Sequence, residues 1–124
     1  MSQYRIERLG QEIRQKIGAL IVEGRIKDNR VNPFLSITKA EVSKDLSYAD
    51  IYVSDIRGKN IEKGVEGLQS AAGFIQSQLN RTMHIRKTPR LRFHADISIG
   101  EGFKMVKKLE ELVQAETSDK VSND

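Results

Sequence analysis

The sequence predicts an α+β domain whose helices cover one face of a three-stranded sheet. Two patterns carry this reading: apolar residues spaced for a helix near the N-terminus, and two-residue alternation in three later segments. With only three strands, all amphipathic, the helices are left to bury one sheet face. The expected order is α-β-β-α-α-β-α. One domain is expected over residues 1–116, with a disordered C-terminal tail at 117–124.

In the first helix Ile6, Leu9, Ile13, Ile17, Leu20 and Ile21 form a single apolar stripe opposite a charged face, and Gly24 marks its end. The connector KDNRVNP is polar and closes at Pro33. Phe34–Val42 is the first strand. Leu35 and Ile37 alternate, then the phase shifts to Ala40 and Val42, which predicts a bulge near Lys39. SKDLS supplies turn chemistry. In YADIYVS, Ala49, Ile51 and Val53 share one face while Tyr48, Asp50 and Tyr52 share the other, so the two strands form an antiparallel hairpin.

DIRGKN is a loop, and Asn60 is placed to N-cap a helix beginning at Ile61, whose stripe is Ile61, Val65, Leu68 and Ala72. The next stretch, LQSAAGFIQSQL, keeps its helical period through Leu68, Ala72, Ile75 and Leu79. Yet Gly73 stands inside it, where glycine costs about 1 kcal/mol relative to alanine. Periodicity alone keeps one helix here. After Pro89 a third strand points Leu91, Phe93, Ala95, Ile97 and Ile99 one way and Arg90, Arg92, His94, Asp96 and Ser98 the other. Phe103, Val106, Leu109 and Val113 give a last helix, and ETSDKVSND has nothing to bury. The open sheet face carries Tyr48, Tyr52, Arg92 and His94 to solvent.

Composition narrows the function classes. The 124 residues suit one domain, and 38% hydrophobic against 31% charged residues gives a core under an ionic surface. The absence of cysteine removes disulfides, thiolate metal sites and cysteine nucleophiles, and fits a reducing compartment. No signal pattern and no membrane-length apolar run is present, so a cytoplasmic protein without a membrane partner is expected. Small size and the lack of an exposed apolar stripe predict a monomer.

The net charge is +4, and its distribution says more than its size. Arg81, Arg86, Lys87, Arg90 and Arg92 follow one another with no acid among them. The N-terminal stretch adds Arg5, Arg8, Arg14, Lys16, Arg25 and Lys27 against Glu7, Glu12 and Glu23, whereas the C-terminal residues hold more acids than bases. Such segregation is the footprint of an anionic-polymer binder.

Catalysis has little support. His94 and Asp96 share a strand face, but without a third partner they form neither a nucleophilic relay nor a metal site. No phosphate-binding glycine loop of known spacing occurs, so neither cofactor nor metal is expected. Binding is better supported. Backbone N–H groups at the start of the second of two consecutive helices can hold a phosphate, and the basic residues downstream add attraction that ignores base sequence. Tyr48 and Tyr52 offer rings for base stacking. Three other readings stand beside this: a DNA-binding helix-turn-helix protein, a small enzyme using His94 and Asp96, and a basic protein-interaction domain. The first is disfavoured because Phe74–Thr82 offers few base-reaching Arg or Lys side chains.

The order helix-strand-strand-helix-helix-strand resembles the type II KH fold, in which a G-x-x-G loop between the central helices clamps single-stranded RNA. Here that loop aligns with Ser70, Ala71, Ala72 and Gly73, so its first glycine is missing and Ala71-x-Gly73 remains. In this respect the chain resembles the ribosome-binding factor A family, in which an Ala-x-Gly kink replaces the clamp. ITKAEVSKDLSYADIYVS, IYVSDIRG and AAGFIQSQLNRTMHIRKTPRLRF are similar to the family's hairpin, second strand and kink-to-strand segment. The N-terminal helix with Arg5 and Arg8, and Phe93 with Asp96, also fit. The resemblance spans roughly residues 3–115.

It implies a non-enzymatic factor that binds the immature small (30S) ribosomal subunit, its 16S rRNA and adjacent ribosomal proteins, and assists late rRNA processing and maturation, including in the cold. It further implies a kink at Gly73 and an RNA-facing side comprising Ala71, Gly73, Arg81, Arg86, Lys87 and Arg90, with Arg5 and Arg8 on the N-terminal helix.

Overall fold

The computed structural model describes residues 2–58, 61–85 and 87–96. Its elements are α1 (Gln3–Val22), β1 (Leu35–Val42), β2 (Tyr48–Asp55), α2 (Ile61–Ser70), α3 (Ala72–Met83) and β3 (Arg90–Ala95). The expected N-cap Asn60, the basic residue Arg86, the continuation of the third strand through Ile97, Ser98 and Ile99, the last helix with Phe103, Val106, Leu109 and Val113, and the tail 117–124 lie outside the described residues.

α1 begins where the Ser2 hydroxyl accepts from the Arg5 N–H at 3.3 Å. It buries Ile6, Ile13, Ile17, Leu20 and Ile21, five of the six stripe residues, with Leu9 half-buried. Its end is a paired turn: the Gly24 N–H donates to the Ile21 carbonyl and the Arg25 N–H to the Leu20 carbonyl, both at 3.0 Å. Gly24 holds φ +67°, which suits a residue without a Cβ. The chain therefore reverses at the expected glycine, and Ile26 returns to the core.

β1 and β2 pair antiparallel, and the register slips between Ile37 and Lys39 so that Thr38 is the extra residue. This is the predicted bulge, one position before Lys39. It lets Leu35 and Ile37 on one side of the slip, and Ala40 and Val42 on the other, turn to the same face. In the connecting turn Asp45 accepts from the Ser43 hydroxyl, the Ser47 N–H and the Ser47 hydroxyl. Those hydrogen bonds hold its carboxyl at about 2.

β3 joins the other side of β2 in parallel, giving the order β1-β2-β3. Parallel pairing needs a crossover, and α2 with α3 provides it. The helices lie on one sheet face. Leu35, Ile37, Ala49, Ile51, Val53, Leu91 and Phe93 meet Ile13, Ile17, Leu68, Ile75 and Leu79 in one core. This is the expected KH-like arrangement through β3.

Two contacts fix how the helices sit. α1 lies so near β1 that a Cβ on Gly10 would stand 2.5 Å from the Ala40 carbonyl oxygen. On the far side, glutamine amides close the free edge of β3. Gln69 donates to the Leu91 carbonyl at 3.2 Å and accepts from the Phe93 N–H at 2.9 Å, while Gln76 accepts from the Leu91 N–H at 3.2 Å.

Candidate nucleic-acid interface

LQSAAGFIQSQL forms two helices, and the break is Ala71. Its N–H is shared between the Gly67 and Leu68 carbonyls, each at 3.1 Å, and its own carbonyl accepts from the Ile75 N–H at 3.0 Å. One residue thus ends α2 and begins α3, with φ −91° and ψ 7°. The expected kink at Gly73 is corrected by two positions, because Gly73 lies in the first turn of α3. Two glutamines span the break: Gln69 before it and Gln76 after it both hydrogen-bond the single residue Leu91. The unbroken apolar period survives because Leu68, Ile75 and Leu79 stay buried on both sides of the break.

No side chain caps the start of α3, so backbone donors remain there for an outside acceptor. Gly73 is exposed, and a Cβ built on it meets nothing within 4 Å. A shallow concavity of about 290 Å³ opens beside the break, lined by Arg25, Lys27, Asp28, Ser70, Ala71 and Phe74. The reversal at Gly24 carries Arg25 and Lys27 to this place. Arg25 Nη2 donates to Gln78 Oε1 at 2.9 Å and Lys27 Nζ to the Gly24 carbonyl at 3.2 Å, and both side chains are exposed. Asp28 is the one acid of the lining. Arg30 binds it through its N–H, Nε and Nη2 at 2.9, 3.0 and 2.9 Å, holding its carboxyl at about 2. The negative charge at this concavity is therefore already compensated.

The other expected cations lie elsewhere. Arg81, Lys87 and Arg90 are exposed near the opposite end of α3 and the start of β3, where the Arg90 N–H donates to the Ser47 carbonyl of the hairpin at 2.9 Å. Ten residues of helix separate Ala71 from Arg81, about 15 Å. Arg5 and Arg8 are exposed on the half of α1 that runs beside Thr38–Val42, toward the same hairpin. Arg8 reaches Glu12 at 3.9 Å, an exposed pair worth little. The expected site thus falls in separate places: Arg81, Lys87 and Arg90 around the end of α3 and the start of β3, Arg5 and Arg8 on the N-terminal half of α1, and Ala71 with Gly73 at the break. Sequence reasoning counts Arg25 and Lys27 as basic but does not place them at the site. Only their return past Gly24 puts them against α3.

The open sheet face is a polar network. Arg92 binds Asp50 through Nε at 2.9 Å and Nη2 at 3.1 Å, and His94 Nε2 lies 2.8 Å from the same carboxylate. Partial burial opposes ionisation of Asp50, but the bonds from Arg92 and His94 outweigh it and leave its pKa below the ordinary value. Arg92 also covers the Tyr48 ring at 4.3 Å, Lys39 approaches the Tyr52 ring at 5.4 Å, and the Tyr52 and His94 rings lie 5.3 Å apart. These tyrosine rings already have partners, which weakens their standing as stacking platforms.

His94 and Asp96, which share a strand face in the sequence, take different partners: His94 meets Asp50 on the neighbouring strand, and Asp96 accepts from the Thr38 hydroxyl at the bulge. Among the described residues no group of three or more His, Cys, Asp or Glu side chains is placed to hold a metal. The helix-turn-helix reading meets a geometric obstacle as well, since α2 and α3 are joined by one residue, not the usual three or four. No helix among the described residues is long and apolar enough to cross a membrane.

Comparison with known proteins agrees with this architecture. The ribosome-binding factor A family profile matches residues 5–113. A ribosome-binding factor A from Treponema denticola is 50% identical over 113 residues, covering 90% of this chain and 86% of that protein. The solution structure of a Thermotoga maritima protein described as a putative ribosome binding factor A superposes with a TM-score of 0.62 at 30% identity, covering 76% of this chain and 89% of that one. A homology model of the Thermus thermophilus ribosome binding factor A, fitted into the cryo-EM map of its 30S complex, gives a TM-score of 0.60 at 22% identity, covering 74% of this chain and 96% of that one. The last likeness concerns the fold alone. A profile match over most of the chain, on this arrangement of helices around a three-stranded sheet, means that the chain belongs to the ribosome-binding factor A family.

Proposed function

We propose that this protein is a non-catalytic assembly factor of the cytoplasm that binds the immature small ribosomal subunit as a monomer. In this reading it contacts 16S rRNA and adjacent ribosomal proteins, assists late rRNA processing and maturation, including in the cold, and leaves the completed subunit. The observation that carries the reading is family membership across residues 5–113. The Thermus thermophilus relative fitted into a 30S complex supports it. The chain's own chemistry supplies the means: exposed Arg81, Lys87 and Arg90 in a stretch without an acid, and uncapped backbone donors at the start of α3. Such groups grip phosphates without reading bases, so specificity comes from the shape of a folded RNA and the proteins beside it.

Co-sedimentation tests this directly. The protein is expected to travel with purified immature small subunits at low salt and to stay behind when mature ribosomes are supplied. Failure to associate with subunits in excess would remove the reading. Replacing Arg86 and Lys87 together by alanine is expected to lower the slope of log affinity against log salt by roughly 0.7–0.9 for each phosphate that the pair neutralises.

A further inference from the structure

Gly73 has no internal reason to be glycine. It does not occupy the left-handed region, and a Cβ there would touch nothing within 4 Å. Helix formation itself favours alanine at such a place. Gly18 in α1 is equally unconfined, so open space by itself assigns no site. What distinguishes Gly73 is its surroundings. The next residue, Phe74, is 41% exposed; other large apolar side chains such as Phe34 and Ile56 are exposed too, so its neighbours and not its exposure mark the place. Phe74 lines the concavity that Arg25 and Lys27 also line. The sole acid of that lining, Asp28, is neutralised by Arg30.

An exposed aromatic ring beside two cations, next to a helix surface stripped of its Cβ, has the chemistry of a nucleotide subsite. Aromatic faces stack unpaired bases and cations hold the phosphate. The concavity is open and about 290 Å³, on the scale of a single nucleotide. We propose that Phe74, Arg25, Lys27 and the bare backbone of Gly73 bind one unpaired nucleotide of single-stranded RNA, with the base on the Phe74 ring and its phosphate against Arg25 and Lys27. This deepens the RNA-binding reading above and rests on it. It places the stacking function on α3, away from Tyr48 and Tyr52.

The test uses the full chain and two fluorescein-labelled probes of equal length, an oligouridine strand and the same strand with abasic sites, followed by fluorescence anisotropy. The wild-type protein is expected to prefer the oligouridine. Phe74→Ala is expected to lower oligouridine affinity roughly tenfold, to the abasic level, while Phe74→Tyr retains the preference. Lys27→Gln is expected to weaken both probes alike and to reduce the salt slope by about 0.7. Gly73→Ala is expected to raise Tm by a few degrees and yet weaken both probes, a combination that a purely structural glycine would not produce. Since Phe74 and Gly73 are exposed, thermal melts separate a binding defect from a folding defect.

Equal wild-type affinity for the two probes, no affinity for either, or an unchanged preference in Phe74→Ala would overturn the inference. The co-sedimentation experiment shows separately whether the underlying reading falls with it.

Discussion

Gly10 in α1 and Gly73 in α3 are both helical glycines, and a methyl group added to each would meet opposite surroundings. At Gly10 it would press to 2.5 Å from the Ala40 carbonyl oxygen, a backbone atom held in the β1–β2 ladder. At Gly73 it would stand in open space beside Phe74. The first glycine answers to the fold, whereas at the second the fold itself leaves room for a methyl group. The difference teaches that a small residue in a helix carries no fixed meaning until the atoms opposite it are known.

The comparison breaks most readily at Gly10. Gly10→Ala is expected to destabilise the protein by about 1–3 kcal/mol, the usual range for forcing an extra carbon into a packed interface. Denaturant unfolding would measure this as a lower midpoint at unchanged slope. A neutral result would mean that α1 slides along β1 freely, and the contrast with Gly73 would collapse.

Gly67 sits between the two extremes. A Cβ there would lie 2.9 Å from Arg30 Cβ and 3.0 Å from Asp28 Oδ1, so the added carbon must displace the Asp28–Arg30 clasp. Gly67→Ala is expected to cost about 1 kcal/mol, at the low end of the overpacking range. If it cost as much as Gly10→Ala, the connector after α1 would be as rigid as the sheet itself.

The smallest expected effect isolates the clasp. Asp28 is held at about 2 in the fold against an ordinary value of 3.8. A depressed carboxyl pKa contributes stability that is fully present above the ordinary value and is lost as pH falls through about 2. The Tm difference between wild type and Asp28→Asn is therefore expected to be constant near neutrality and to shrink between pH 4 and pH 2. Asp28 lines an open concavity and its partner Arg30 is partly exposed, so screening keeps the difference small. A difference independent of pH would show that the clasp acts by shape and not by charge.

The parts of this molecule that are legible in the sequence are those decided by near neighbours. The stripe from Ile6 to Ile21, the reversal at Gly24, the hairpin and the phase shift that marks its bulge all depend on residues a few positions apart. The break escapes local reading for the opposite reason. The apolar period runs through it, and the contacts that span it, Gln69 and Gln76 with Leu91, cross 15 to 22 residues of chain. His94 meets an unexpected acid on similar grounds: Asp96 is two positions away, but the parallel pairing puts Asp50 of β2 within reach. Arg25 and Lys27 stand more than forty residues before Ala71, and no local pattern announces that they share a concavity with it.

The glutamine closure of β3 has a consequence for cooperativity. β2 and β3 are parallel, so the chain between them must cross over, and α2 with α3 makes that crossover. Because Gln69 and Gln76 bind β3 from the other side, the strand is held at both edges by groups distant in the chain. β3 cannot peel away as an ordinary edge strand does without releasing both helices at the break. The crossover and its strand are therefore expected to open together in native-state hydrogen exchange, with the bend at Ala71 kept until that unit is lost.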